Sequence, residues 1–360
     1  MIYPKLVYRT LPAVLICGWM LLTAPSVTAQ DPQFSQFFAA PLYLNPAFAG
    51  STQQGRVGLN YRNQWPAIDA NFTTVSAYAD FYLEDKNSGI GAILTRDYVG
   101  IVGLQSVSFA IQYAYQLQIT KDWSFRPGVQ LGFINRSINF GALTFGDQFD
   151  PATGSLVKGT AEALNTGQSA LIPDLSFGGL LYSRNAFFGV AAHHLTQPNQ
   201  SILGQKDILD MKISVHAGYK FFFRPGTMGT GVFSQSQERS LSPVVQYRKQ
   251  GQFSQADVGM YFTAEPLIIG TWYRGIPFNK VNGFANNESI VLMLGLVLKK
   301  GEKDRMDILT LGYSYDYTIS KLGPSSGGAH EFSLVYSWPT RNPRKPPKDK
   351  LIIPCPIPGL

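Results

Sequence analysis

The sequence has little charge and no long apolar segment beyond its N-terminus. Charged residues make up 15% of the 360 residues, against about 25% in typical soluble proteins. The net charge is a mild +7, and no basic helix or aromatic-basic stripe accompanies it, so we expect no nucleic-acid partner. Past the leader, no stretch supplies about 20 consecutive apolar residues, and we expect no membrane-spanning helix.

The sequence also lacks the side-chain sets that metal sites and enzymes need. His193 and His194 are adjacent, so on a strand they face opposite sides and do not chelate one metal together. His216 and His330 are isolated, and no glycine-rich phosphate loop precedes a helix. We therefore predict no metal, no cofactor and no enzymatic activity.

Residues 1–29 have the pattern of a secretory signal peptide. Lys5 and Arg9 precede a short apolar run at 11–22, and small residues precede Gln30. A lipoprotein interpretation through Cys17 is the alternative to simple cleavage after residue 29. Either way the sequence indicates export from the cytoplasm.

A two-residue alternation is the dominant feature of what remains. In 107–120, VSFAIQYAYQLQIT, every second residue is apolar or aromatic and the others are small or polar. The same pattern recurs at 213–223, 290–298, 309–318 and 330–338. It describes a strand with one apolar and one polar face, and its recurrence without amphipathic helices predicts apolar sides in lipid around a polar lumen.

We predict an all-β fold, a transmembrane antiparallel β-barrel of about 14 strands within residues 55–338. Segments long enough to cross a membrane as tilted strands are expected near 55–65, 71–83, 88–98, 103–120, 122–140, 172–183, 185–195, 210–223, 239–249, 252–264, 266–276, 288–299, 306–318 and 328–338. The even count leaves both barrel ends on the periplasmic side.

Connection lengths give a second test, because outer-membrane barrels have short periplasmic turns and longer outer loops. Short turns fall at 120–122 and 183–185 on the expected periplasmic side, and long connections at 141–171, 196–209, 277–287 and 319–327 fall on the outer side. The connection 224–238 is long where a short turn is expected, and the one at 249–251 is tight. Either a hairpin is miscounted there or that periplasmic loop is special.

Two segments outside the strand pattern are candidate interaction elements. Residues 30–54 contain three prolines and several aromatics without a period, and we expect them inside the barrel mouth or against a partner. Residues 339–360 form a Pro-rich basic periplasmic tail, interpreted either as disordered or as a docking peptide. The docking residues would be Leu351, Ile352, Ile353 and Cys355, a thiol with no internal disulfide partner in the mature chain.

The run at 30–50 carries the most specific motif. Its signature residues are Phe34, Ser35, Gln36, Asn45, Pro46, Ala47 and Gly50. With a tyrosine-arginine pair at 247–248 and a cysteine-proline pair at 355–356, the mature chain resembles the PorP/SprF family of type IX secretion membrane proteins. The long 141–171 loop and the ending at 357–360 depart from the family pattern.

The resemblance implies a bacterial outer-membrane barrel of the type IX secretion and gliding motility machinery. Some members belong to the core machinery, and others help to export or anchor one secreted adhesin at the cell surface. The implied partners are type IX secretion components, a secreted surface protein and outer-membrane lipid; branch and cargo stay open. The alternative is a passive diffusion porin, and an outer-membrane enzyme is a distant third.

Overall fold

The computed structural model describes residues 31–69, 71–100, 103–139, 143–150, 153, 155–156, 169–202, 206–223, 238–281, 284–302, 305–321, 323–340 and 355–356, with backbone alone at 277–281, 284–286, 302 and 305. The chain divides into two units, Met1–Asp31 and Pro32–Leu360, and the fold below is that of the second. The signal peptide at 1–29 and the docking residues Leu351, Ile352 and Ile353 lie outside the described residues. Within the described chain no helix is long and apolar enough to cross a membrane.

In the described part of the chain, helical structure is confined to single turns. These are α1 (Pro41–Leu44) and 3-10 turns at Pro46–Phe48, Glu84–Lys86, Gly146–Gln148 and Pro324–Ser326. The β segments of the described residues are β1 (Gly55–Gln64), β2 (Phe72–Leu83), β3 (Ser88–Val99), β4 (Leu104–Tyr115), β5 (Leu117–Gln118), β6 (Ser124–Ile138), β7 (Ser169–Tyr182), β8 (Ala186–His193), β9 (Lys212–Tyr219), β10 (Phe221–Phe222), β11 (Arg239–Gln250), β12 (Phe253–Ala264), β13 (Leu267–Val281), β14 (Phe284–Glu302), β15 (Arg305–Thr318) and β16 (Ala329–Trp338).

These segments close into one antiparallel barrel. The short β5 and β10 continue β4 and β9, which leaves fourteen strands in the described chain, each paired to its neighbours. β16 returns to pair with β1 from Gly55↔Trp338 to Gln64↔Ala329. The predicted fourteen-strand transmembrane barrel is confirmed. Both barrel ends, Gly55 and Trp338, lie at the same rim, which is the periplasmic one by the rule for such barrels.

The strand faces show why the alternation encodes a membrane barrel. In β4 the apolar side chains of Phe109 and Ile111 are 49% and 55% exposed, whereas Gln112 and Ala114 on the other face are buried. A soluble sheet would bury the apolar face instead. The exposed apolar sides form the lipid-facing wall, and Trp338 lies in an aromatic cluster at the periplasmic rim, as expected for an interfacial girdle.

The connections correct one expectation and settle another. The predicted long loop at 277–287 is wrong: β13 and β14 continue as a hairpin to Val281 and Phe284, with register shifts that absorb the extra residues. Around 224–238 no hairpin is miscounted, because β11 pairs with β9 on one side and with β12 on the other. The tight turn at 249–251 has Gly251 at φ +55°, a conformation that glycine adopts without strain.

Candidate functional site in the barrel lumen

Residues 32–51, here called the plug, lie inside the barrel. Hydrogen bonds join the plug to β1, β2, β4, β6, β7, β8, β9, β11, β13, β15 and β16, so the wall surrounds it. Phe37 lies edge-on to Trp272 at 6.0 Å between ring centroids, and Phe38 to Phe187 at 5.2 Å. Of the two expected places for this segment, the structure shows the lumen.

The asparagine-proline-alanine part of the motif shapes the plug. Asn45 accepts a hydrogen bond from the backbone N–H of Ala47 at 2.9 Å and so caps the 3-10 turn Pro46–Phe48, as short polar side chains do at helix starts. Its amide also donates to the backbone carbonyls of Gly179 and Val190 at 3.2 and 3.1 Å. One side chain therefore both caps the turn and fixes it to two wall strands.

The serine-glutamine part of the motif binds acidic side chains on the last strands. The backbone N–H groups of Ser35 and Gln36 donate to the two carboxylate oxygens of Glu331 at 2.6 and 2.9 Å. The Ser35 hydroxyl donates to Asp316 at 2.5 Å and accepts from Arg62 at 2.5 Å. Hydrogen bonds to charged groups are stronger than neutral ones, so this point anchors the plug.

A buried ion network surrounds that anchor. Arg62 pairs with Asp316 at 2.9 Å and with Glu331 at 3.3 Å, and Arg274 pairs with Asp316 at 2.9 Å and with Asp257 at 2.9 Å. All five side chains are at most 3% exposed. Buried charges are tolerated when paired and hydrogen-bonded. These five lumenal charges therefore form a salt-bridged interior.

The periplasmic end of the plug is held by a second set of charges. Arg126 donates from Nε to the carbonyl of Ala47 at 3.2 Å and from Nη2 to the carbonyl of Ala49. The N–H of Gly50 donates to Asp80 at 2.7 Å, and Asp80 is paired with Arg56 at 2.8 Å. The plug is thus bound to the wall at both of its ends.

Lumen-facing glycines give the plug its space. A Cβ built on Gly89 would lie 1.9 Å from the carbonyl oxygen of Ala49, and one on Gly128 would lie 2.5 Å from the amide nitrogen of Ala47. A Cβ on Gly178 would lie 1.9 Å from the Asn45 side-chain oxygen. Sequence reasoning missed these residues, although glycine at inward strand positions is a signal of close backbone approach.

Gly128→Ala is expected to destabilise the protein by about 1–3 kcal/mol, because the added methyl meets plug backbone that has no room to move. The measurement is the free energy of unfolding by urea in detergent micelles, followed by tryptophan fluorescence. The matched control is Gly146→Ala, since nothing lies within 4 Å of a Cβ at Gly146. Equal unfolding free energies for both variants would show that β6 does not press on the plug.

The motif residues named from the sequence are brought together, whereas the tail is described only in part. Phe34, Ser35, Gln36, Asn45, Pro46, Ala47 and Gly50 all lie in the plug and are buried. In the tail, Cys355 is buried, and its backbone N–H donates to the carbonyl of Ser51 at 3.2 Å. Burial raises the pKa of the Cys355 thiol, against the opposing effect of Arg126 and Arg56.

His193 and His194 are both buried with their rings 6.4 Å apart, whereas His216 and His330 lie on other strands. His194 lies 3.0 Å from Asp174, His193 lies 3.3 Å from the carbonyl of Leu44, and His216 stacks on Phe48. His330 lies 2.9 Å from the hydroxyl of Tyr313 on the outer wall. Among the described residues, no group of three or more His, Cys, Asp and Glu side chains is placed to hold a metal ion.

Comparisons with known proteins find a matching family and solved structures of similar fold. The family model of the type IX secretion system membrane protein PorP/SprF matches residues 26–336. A search of curated proteins finds no match. Similar solved structures include a Pseudomonas aeruginosa FadL homologue (11% identity, 82% of this chain, 93% of that one, TM-score 0.40), Acinetobacter baumannii Omp33 (7%, 80%, 99%, 0.38) and the P. putida toluene transporter TodX (12%, 82%, 92%, 0.40).

Proposed function

The chain belongs to the PorP/SprF family of type IX secretion system membrane proteins, and from that premise we propose that it helps to export or to anchor a secreted, adhesin-type surface protein through protein–protein contacts. It is a β-barrel of the bacterial outer membrane. The proposal assigns it no enzymatic activity. Its partners are type IX secretion components, the secreted protein itself and the lipid that covers the exposed apolar wall.

The observation that carries this proposal is the filled lumen. A passive porin needs a water-filled channel through the barrel, but here the plug crosses the lumen and hydrogen-bonds to eleven of the wall segments in the described chain. The aromatic rings of Phe34, Phe38 and Phe48 are at most 2% exposed within it. A barrel closed in this way supports binding of proteins at its two mouths better than diffusion of solutes.

The C-terminal tail is the proposed docking element on the periplasmic side. β16 ends at Trp338, and the sequence continues with a Pro-rich stretch carrying five basic residues and one acidic residue at 339–350. Proline-rich peptides bind with a small loss of conformational entropy because they are extended beforehand. The apolar residues Leu351, Ile352 and Ile353 would provide the anchor.

Ending the chain after residue 340 is expected to remove periplasmic partners while the barrel still folds, since the strand pairings of the described residues all lie before that point. The measurement is affinity purification from outer membranes of the native bacterium, with the co-purifying chains identified for the full and the shortened protein. We expect secretion components with the full chain and a strong loss of them with the shortened one. Surface display of the cargo should fall in parallel.

A variant that replaces Leu351, Ile352 and Ile353 by serine is the matched control for tail length and charge. It should lose the partners as the shortened chain does if the apolar residues are the anchor. Heat-modifiable migration on gels reports that each barrel has folded. Unchanged partners and unchanged surface display in the shortened chain would contradict the docking role.

A further inference from the structure

A groove crosses the lipid-facing side of the wall from β13 to β1. Its border nearer the periplasm is a row of five leucines that oppose one another on neighbouring strands: Leu267, Leu296, Leu311, Leu334 and Leu59. Neighbouring strands lie about 4.8 Å apart, so a row across five strands is about 19 Å long. The groove therefore passes over the seam at which the last strand, β16, pairs with β1.

The border farther from the periplasm is a second row, two residues along each strand. It consists of Leu294, Tyr313, Phe332 and Tyr61, which oppose one another in the same way. The ring centroids of Tyr313 and Phe332 lie 4.9 Å apart, and the Tyr313 hydroxyl lies 2.9 Å from Nδ1 of His330. These contacts fix the two central rings, so the border is formed before a ligand binds.

The floor of the groove is backbone. Gly295, Gly312 and Ser333 form the row between the two borders, and a Cβ built on Gly312 would lie 2.4 Å from the side-chain oxygen of Gln36 in the plug. This row therefore points into the lumen and places no side chain on the lipid side. The space between the borders is about 540 Å³, within the range of about 300–1,000 Å³ for small-molecule sites.

The dimensions of the groove favour a single hydrocarbon chain as its occupant. Rows two residues apart on a strand are separated by about 6.8 Å, which is too narrow for an α-helix of about 10–12 Å diameter. A second barrel would lay a convex wall across the groove without filling it. One acyl chain covers about half of the roughly 30 Å hydrocarbon core of a bilayer, so the groove holds it along its length.

The two ends of the groove indicate the leaflet from which the chain comes. Leu267 is the first residue of β13 and follows the periplasmic turn after β12. At the other end, Leu59 is the fifth residue of β1, which starts at the periplasmic rim. Because the strands of such barrels are tilted, the groove climbs from the periplasmic boundary toward the interior of the membrane.

A cation lies on the periplasmic side of the groove. Lys300 is exposed and shares the lipid-facing side of β14 with Leu296 and Leu298, and Asp307 is opposite to it on β15. A lysine at this depth extends its ammonium group to the headgroups. Ionised groups form the stronger hydrogen bonds, so this pair suits the phosphate and the ammonium group of an ethanolamine phospholipid.

We propose that the groove binds one acyl chain of a phospholipid of the periplasmic leaflet. The headgroup lies at the Leu267 end, on the side of Lys300, and the end of the chain lies between Leu59 and Tyr61. The bound chain contacts β16 and β1 together and so covers the seam of the barrel. This assignment rests on the barrel alone and does not depend on the secretion role proposed above.

The first experiment asks whether the purified barrel binds a phospholipid at this place. Native mass spectrometry in mild detergent counts the lipids on the full-length protein, first as purified from outer membranes and then during titration with phosphatidylethanolamine. Leu311→Trp places an indole ring in the middle of the groove. It should weaken binding of the tightest lipid by about ten-fold or more, because several methylene groups lose their contacts.

Leu131→Trp is the matched control. Leu131 is a leucine of β6 that is 54% exposed on the lipid-facing wall and lies outside the groove, so this variant should bind lipid as the native protein does. Heat-modifiable migration on gels reports folding, and Leu334→Trp replaces Leu311→Trp if that barrel does not fold. Equal lipid binding by all three proteins would overturn the site, as would retention of lipopolysaccharide or of another protein in place of the phospholipid.

The second experiment locates the chain. Phosphatidylethanolamine with a diazirine at the end of one acyl chain is reconstituted with the protein in vesicles, and the peptides modified after illumination are identified by mass spectrometry. We expect labelling concentrated on the peptide that contains Leu59 and Tyr61, reduced by Leu311→Trp and unchanged by Leu131→Trp. Labelling spread evenly over the lipid-facing wall would contradict the proposal. Failure of the secretion role would leave both lipid results unchanged.

Discussion

Deleting residues 32–49 is expected to turn a non-conducting barrel into an open channel. The strands pair with one another without help from the plug, and without it the lumen is lined by polar side chains such as Arg62, Asp80 and Glu331, which water solvates. Fourteen strands enclose an aqueous pore once nothing fills it. Single-channel recording in planar bilayers should show long-lived open steps for the deletion variant and none for the full chain.

Addition of a synthetic peptide of residues 32–51 is the control for the deletion. The peptide carries the groups that bind Asp80, Arg126 and Glu331, so it should shorten or close the open steps, and a peptide of the same composition in scrambled order should not. Steady conductance of the full chain at the level of the deletion variant would contradict a closed lumen and favour the porin alternative.

Asp316→Leu is expected to destabilise the protein by about 3–5 kcal/mol, because it leaves buried cations without their shared partner. The Asp316 carboxylate pairs with Arg62 and with Arg274, each at 2.9 Å, and accepts a hydrogen bond from Ser35. The loss should appear in the free energy of unfolding by urea in micelles. It should also appear as faster hydrogen exchange of Ser35 and Gln36, since the anchor of the plug is weakened.

Asp207→Asn is the matched control. Asp207 pairs with Arg136 at 3.5 Å, and its side chain is 43% exposed, so solvent screens the pair and its removal should cost about 1 kcal/mol or less. A loss for Asp316→Leu no larger than the loss for Asp207→Asn would show that water already reaches the lumenal ion network.

The barrel could be predicted from the sequence because its signal is local. Alternation in 107–120 needs only neighbouring residues to be read, and β4 bears it out with Phe109 facing out and Gln112 facing in. The prediction of a loop at 277–287 is wrong for a related reason. Pro277, Asn279 and Gly283 interrupt the alternation, but the hairpin continues through register shifts, which local periodicity does not reveal.

The site could be predicted only in part. The sequence identifies the residues of the opening motif. It does not decide whether they lie inside the barrel mouth or against a partner. The contacts that decide it join residues far apart in sequence: Ser35 to Glu331 spans 296 positions and Ser35 to Asp316 spans 281. A segment without a period gives no register, so nothing in its sequence specifies which wall residues it will meet.

The residues that complete the site carry weaker signals. Arg56, Asp80 and Arg126 are charged residues on the lumen-facing side of strands whose other face is apolar. From the sequence, each could pair with another wall residue or bind the plug. Distinguishing those two roles needs the distances. Solvated lumenal charges of an open pore would produce the same sequence pattern.

The pairing of Arg62 with Glu331 has a consequence for the order of assembly. These two residues are opposite each other on the first and last strands, and Glu331 also receives the amides of Ser35 and Gln36. Ser35 and Gln36 therefore bind the Glu331 carboxylate only once the last hairpin, β15 and β16, is in place. Barrel closure and binding of the first plug residues therefore occur in the same step. A folding intermediate that lacks the β1–β16 pairing has an open barrel wall and a plug that is not yet anchored.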